Sequence, residues 1–338
     1  MSSRSILGLM YTLQGLHELG EDIAPVLARY GLVREKLDPA ARLDRALELR
    51  IYIELAEQLQ NPLAGLLTGP YFGFTGYGPL TMLLMTCANA YEAFQTGIRY
   101  QQLTYLFGSL RFEPGQDTSA LVLTPLQLPP KAYRFRVDGE TSGTYKLILD
   151  MQNTLGVNLG AVRIDLPYAA PPEAAAYEEH FRCPVTFGES TDVRWWIRNQ
   201  DLQIRFPTAD ATAHAMFRAQ CDQQLALQQN SPLEKLQEKV SAHLELFSAG
   251  FPSMAEVAAA FDISERTFRR QLGTENTSFR ALLDQVRFGK AQQLLNNSTL
   301  SMAAIAQQLG YAESAAFIHA FQRWAGASPA AFRKREKT

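Results

Sequence analysis

Arg266, Arg269 and Arg270 fall at i, i+3 and i+4 behind Ser264, a residue type that caps helix N-termini. A helix starting there carries all three on one face of its first turns. A guanidinium is a planar fork of N–H donors that fits guanine O6 and N7, and a recognition helix reaches bases with its N-terminal residues. The chemistry on offer is therefore hydrogen bonding to base edges in a major groove. Phe268 and Leu272 sit on the opposite face and are expected to point inward. The alternative is a solvated basic face, which is common on isolated helices; the elements around the arginines decide between the two.

Those elements are repeated. Ser253-Met254-x-x-Val257-Ala258-x-x-Phe261 recurs 48 residues later as Ser301-Met302-x-x-Ile305-Ala306-x-x-Leu309, and each copy runs into a turn and a second helix. One bracing helix, a tight turn and one presented helix make a helix-turn-helix, so two motifs are expected at about 253–273 and 301–325. In the second motif Phe317, Phe321 and Trp324 form the inward stripe, and Ser314, Ala315, Ile318, His319 and Gln322 are the exposed positions. His319 can donate to a base or phosphate and the small residues can touch thymine methyls, so looser readout is expected there; a neutral surface histidine is the alternative. Between the motifs, Ser278 to Asn296 has the apolar spacing of a helix about 28 Å long, against ~34 Å between successive major-groove faces.

Charge is distributed to match. The 338-residue chain has a net charge of −2, which by itself argues against a nucleic-acid partner. From Pro232 onward, however, thirteen Lys and Arg face ten Asp and Glu, which leaves nineteen against twenty-four upstream. The positive end is the end with the repeat. A hydrophobic fraction of 46% with 20% charged residues is ordinary for soluble globular proteins, and the length allows two domains. Cys87, Cys183 and Cys221 lack any C-x-x-C spacing and read as reduced, buried thiols. The start of the chain has too short an apolar stretch for a secretory signal and no run is long enough to span a membrane, so a cytoplasmic protein is expected.

Upstream of the repeat, Ile51 to Leu59 and Leu80 to Tyr105 have helical spacing. The period then moves towards two, predicting strands at Leu106 to Phe112, Ala120 to Leu126 and Tyr133 to Val137, separated by Pro114-Gly115 and Pro129-Pro130. A helix at Tyr145 to Leu155, a strand at Val162 to Leu166, a helix near Pro172 to Phe181 and short strands about Val185 and Val193 to Ile197 follow. The fold class is an α+β N-terminal domain joined to an all-α C-terminal domain with two helix-turn-helix motifs. Thr208 to Gln229 reads as one helix ending in the polar Gln228 to Ser231, which places the boundary between domains 1–228 and 232–335. Leu233, Leu236, Val240, Leu244 and Phe247 then predict a bracing helix.

Gly310-Tyr311, Phe317, Ala320-Phe321, Arg323-Trp324, Gly326 and Ser328-Pro329-x-x-Phe332-Arg333 match a specific signature. Over about 232–333 the chain resembles the C-terminal DNA-binding domain of AraC/XylS-family transcriptional regulators. That resemblance implies base contacts by Arg266, Arg269 and Arg270 in the first recognition helix and by Ala315 and His319 in the second, where the family often has a longer polar residue and Arg. Phe181-Arg182-Cys183-Pro184-Val185-Thr186-Phe187-Gly188 is similar to an F-x-C-P-V-x-F-G element of one branch of that family, whose members respond to amino acids, fatty acids or other small organic molecules. It implies an effector-binding, dimerising domain over roughly residues 20–225. The partners this resemblance leads one to expect are promoter DNA, a small-molecule effector, a second copy of the chain and RNA polymerase, with no membrane.

Aromatic density at Tyr71, Phe72, Phe74, Tyr77 and Tyr105, with Arg134 and Arg136 nearby, marks the expected effector pocket. The expected ligand is a small amphipathic molecule such as a fatty-acid-like carboxylate held by one arginine; aromatics that merely fill the core are the alternative. Gly73 to Gly78 lacks phosphate-loop spacing, the five histidines have no partners at metal-ligand spacing, and no nucleophile elbow occurs. No catalytic residue, cofactor or metal is therefore expected. An enzyme tethered to DNA, with its catalysis in residues 1–228, is the rival reading.

Overall fold

The computed structural model describes residues 3–229, 235–247, 250–261, 263–297 and 300–335. Two compact units form: Leu7–Ile23 with Tyr52–Asn230, and Met1–Ile6 with Ala24–Ile51 and Ser231–Thr338. The strands are β1 (Ser3–Ser5), β2 (Arg42–Asp44), β3 (Ser109–Glu113), β4 (Thr118–Thr124), β5 (Arg163–Leu166), β6 (Val185–Phe187) and β7 (Val193–Arg198).

The larger unit is built on a five-stranded sheet in the order β3-β4-β7-β5-β6. Its neighbours are antiparallel except β5 and β6, which run parallel with Ile164 opposite Val185. Parallel neighbours need a crossover, and the helix Ala174–Phe181 supplies it.

Tyr133–Val137 is not a strand. It opens the 26-residue helix Pro130–Leu155, which also absorbs the helix expected at Tyr145 to Leu155. Pro130, taken for a turn residue, occupies the first helical turn, where its missing N–H costs nothing. Every residue from Phe135 to Gly143 is buried, so the helix is covered on all sides and has no amphipathic stripe to reveal it. Its closest neighbour is the short helix Ala64–Thr68. Gly65 and Gly69 permit that approach: a Cβ at Gly69 would overlap the Ser142 side chain, and one at Gly65 the Phe135 carbonyl.

Leu80 to Tyr105 also differs from the single stripe expected. It forms helices Pro79–Met85 and Ala90–Arg99, the second capped by Asn89 Oδ1, which accepts from Glu92 N at 3.0 Å. The predicted helix from Thr208 runs Ala211–Gln229. Cys87 and Cys221 are buried, and Cys183 is half-buried. Among the described residues no helix is long and apolar enough to cross a membrane.

The smaller unit joins the C-terminal helices to early residues. β1 pairs antiparallel with β2, and Arg4 and Glu48 form a buried ion pair at 2.6 Å. Lys290 meets Asp38 at 2.6 Å, Arg50 donates to the Ala260 carbonyl at 3.0 Å, and Leu37 bridges Phe247. A single cut between residues 228 and 232 does not describe this grouping, because such pairings across some 200 residues leave no local pattern. Of the boundary expected at Gln228 to Ser231, residues 230 and 231 lie outside the described residues.

Among the described residues seven helices follow: Leu236–Glu245, Met254–Ala260, Glu265–Thr274, Phe279–Asn297, Met302–Gln308, Ser314–Ala325 and Pro329–Arg335. Val240, Leu244, Val257, Phe268 and Leu272 centre one core; Ile305, Leu309, Phe317 and Phe321 centre another. The connector Phe279–Asn297 serves both, giving Leu282 and Val286 to the first and Ala291 and Leu295 to the second.

Candidate nucleic-acid interface and ligand cavity

The first motif begins with a capping box. Ser253 Oγ accepts from Glu256 N at 3.3 Å, and the Glu256 carboxylate accepts from Ser253 N at 2.6 Å, which holds that carboxyl below its usual range. Ile263 N donates to the Ala258 carbonyl at 3.1 Å and closes the turn. Ser264 then caps the presented helix, its Oγ accepting from Thr267 N at 3.3 Å. Phe268 and Leu272 are buried, while Arg266, Arg269 and Arg270 are exposed and pair with no carboxylate among the described residues. The face is cationic and open, as groove insertion requires.

The second motif repeats the scaffold. Ser301 Oγ accepts from Ala304 N at 3.1 Å, and Tyr311 N donates to the Ala306 carbonyl at 2.9 Å, the counterpart of the Ile263 to Ala258 bond. Gly310 makes the turn with φ +76°, a conformation in which side chains with a Cβ are strained. Glu313, at the N-cap of Ser314–Ala325, gives no side-chain cap. Ala315 and His319 are exposed and Ser314 is half-buried. Ile318, expected on the outer face, packs on the second core instead. Phe317 and Phe321 are buried and Trp324 packs against them, as expected.

Two contacts that no periodicity announces tie the motifs to the connector. The Arg287 guanidinium lies 5.3 Å from the Phe251 ring centre and 4.9 Å from that of Tyr311. Arg323 donates to Asp284 at 3.0 Å, so the one arginine on the second presented helix is neutralised there.

In the larger unit, Phe72, Tyr77, Tyr105 and Arg136 line one narrow cavity of about 80 Å³. Leu80, Leu84, Phe94 and Met151 add apolar wall. Tyr71, Phe74 and Arg134 do not line it. In a strand Arg134 and Arg136 would share a face; in the helix they diverge. Arg134 turns to Glu173 at 3.3 Å and the Tyr177 hydroxyl at 3.2 Å. Nearby, Asp138 accepts from Tyr168 and Tyr177, and burial pushes its carboxyl up to about 7 against those bonds.

Arg136 is buried and engaged. It donates to Glu140 at 2.8 Å and lies over the rings of Tyr52 at 4.3 Å and Phe107 at 5.0 Å. Glu140 also accepts from Phe107 N at 3.1 Å and Gly108 N at 3.2 Å. The sequence reading found the arginine and missed this carboxylate one helical turn on, although i, i+4 spacing is the signal for such a pair. The polar end of the cavity is thus an ion pair with no net charge.

Residues 20–203 match the arabinose-binding N-terminal domain of AraC transcription regulators, and residues 257–335 match a helix-turn-helix domain. An uncharacterised helix-turn-helix-type transcriptional regulator of Mycobacterium tuberculosis is 28% identical over 328 residues, covering 94% of this chain and 93% of the relative. The ornithine utilization regulator of Pseudomonas aeruginosa is 26% identical over 331 residues, with 93% of this chain and 94% of that one covered. Among solved structures, the transcriptional regulator CdpR of Pseudomonas aeruginosa matches with a TM-score of 0.45 and 25% identity, covering 92% of this chain and 97% of that chain.

Proposed function

Because this chain belongs to the family of AraC transcription regulators with an N-terminal arabinose-binding domain, we propose that it is a one-component regulator in which a small organic effector in the larger unit controls promoter binding by the two motifs. The observation that carries the DNA half is the open face of Arg266, Arg269 and Arg270 on a capped, buried-core helix. Arg269 and Arg270 hydrogen-bond guanine edges and Arg266 a base or a backbone phosphate. In the second motif Ala315 contacts a thymine methyl, His319 a base or phosphate, and Ser314 a phosphate, which makes that half-site the less selective one. Family members and relatives being transcription regulators, the tethered-enzyme reading is not carried further.

The effector half rests on the apolar cavity of Phe72, Tyr77 and Tyr105. A fatty-acid-like carboxylate would have to compete with Glu140 for Arg136; a neutral polar group can accept from Arg136 or donate to Glu140 without breaking the pair. A largely apolar effector with one neutral polar end therefore suits the cavity best. Regulation requires that it bind the DNA-competent and incompetent states with different affinity. The chain acts in the cytoplasm as a homodimer that contacts RNA polymerase, in keeping with the family resemblance.

Fluorescence anisotropy with a promoter fragment carrying the chain's own operator tests the reading. Wild type should bind tightly with a steep salt dependence, and Gly97→Leu, which fills the cavity from the helix Ala90–Arg99, should remove any response to effector while leaving basal DNA affinity in place. Equal affinity of wild type for operator and random DNA would reject sequence-specific regulation.

A further inference from the structure

A second cavity of the larger unit lies on another side of the long helix. Tyr145, Ile148, Phe181, Trp195 and Ile197 form an apolar, mostly aromatic floor, and Gln152, Asn158, Arg182 and Arg198 stand among its polar lining. Its volume is about 250 Å³, room for one small ring with a short chain. Ile148 is common to both cavities, so the two share one wall.

The charges differ from those of the first cavity. Arg198 donates to Asp201 at 2.9 Å and is balanced. Gln152 accepts from Leu159 N at 3.0 Å and Asn158 from Gly160 N at 3.2 Å, so both carboxamide oxygens are already engaged. Arg182 is exposed and has no carboxylate within ion-pair distance among the described residues. Its positive charge reaches the cavity wall, where it opposes the upward push of burial on the Tyr145 phenol. Arg182 also holds φ +55° at the end of the helix Ala174–Phe181, a position where glycine is the usual residue. A left-handed backbone with a long cationic side chain at a cavity mouth is a costly arrangement for a residue that only covers surface.

We propose that this cavity binds a small arylalkyl monocarboxylate, its ring on the Tyr145, Phe181 and Trp195 floor and its carboxylate on Arg182. The ring is selected by aromatic edge and face contacts with that floor. The charge is selected because the mouth carries one uncompensated cation, in contrast to the neutral Arg136–Glu140 end of the first cavity. The site is separate from the one assigned to the effector above and does not depend on that assignment.

Isothermal titration calorimetry of the full chain with 3-phenylpropanoate, and with its neutral amide, tests the proposal. The carboxylate should bind at least about tenfold more tightly than the amide, since one charge-assisted contact distinguishes them. Arg182→Gln should remove that difference, Arg182→Lys should retain most of it, and Gly97→Leu should leave it unchanged. No binding of 3-phenylpropanoate at millimolar concentration overturns the proposal. So does a carboxylate preference that survives Arg182→Gln. Binding abolished by Gly97→Leu and untouched by Arg182→Gln also overturns it, while placing the ligand in the first cavity and leaving the proposed effector site standing.

Discussion

The two helix-turn-helix motifs share a scaffold to the level of single bonds and differ in what the scaffold presents. Ser253 and Ser301 cap equivalent helices, and the Ile263 to Ala258 and Tyr311 to Ala306 bonds close equivalent turns. Each core is centred on phenylalanine from the presented helix, Phe268 in one and Phe317 with Phe321 in the other. Outside those cores the motifs part company. The first presents three exposed arginines with no carboxylate partner among the described residues; the second presents Ala315 and His319, with Arg323 tied to Asp284. Inward positions are constrained by packing at crystal-like density, so duplicated motifs keep them alike, whereas outward positions answer only to what they touch.

The comparison breaks first if the two scaffolds are unequal in energy. Phe268→Ala and Phe321→Ala, both fully buried, should each cost about 3–5 kcal/mol in denaturant unfolding. A cost near zero for either would mean that its motif is not held by the core described.

The next largest effect belongs to the first motif alone. His243 is buried between the rings of Phe247 and Phe261, and burial, assisted by the Arg50 charge, lowers its imidazole to about 4. Because the folded value lies below the unfolded one, stability from this group is complete above pH 6.5 and falls as the pH drops towards 4, by about 3 kcal/mol in all. Urea titrations across that window should show a shallower slope for His243→Leu than for wild type; parallel slopes would remove His243 as the cause.

Readout then separates the motifs. Arg269→Ala should weaken operator binding by about 1–3 kcal/mol and relax preference at one half-site, with unfolding unchanged. His319→Ala should cost less than about 0.5 kcal/mol in the same anisotropy assay. A larger loss at His319 than at Arg269 would invert the assignment of the stronger reader.

What could be read in advance follows how local each signal is. The C-terminal helices were legible because their apolar spacing and Ser caps act within one or two turns. The placement of Arg266, Arg269 and Arg270 on one exposed helix was legible for the same reason. The helix Pro130–Leu155 was not, since burial on every face erases the stripe and Tyr133 to Val137 then alternates like a strand. That error carried Arg134 into the expected pocket beside Arg136, and helical geometry separates them. The i, i+4 pairing of Arg136 with Glu140 was available once the helix was known, and it turns an expected cationic anchor into a neutral one.

The sequence by itself determined the family, the doubled motif and which helix carries the arginines. Those properties depend on side-chain type and helical phase, which are fixed by neighbours a few residues away. Only the tertiary structure decided that residues 24–51 pack with the C-terminal helices through Asp38 and Arg50, that Arg287 stacks on both Phe251 and Tyr311, and which aromatics share a cavity. The Asp38 and Arg50 pairings join positions more than 200 residues apart, and whether a charge is open or neutralised depends on a partner that local spacing cannot name.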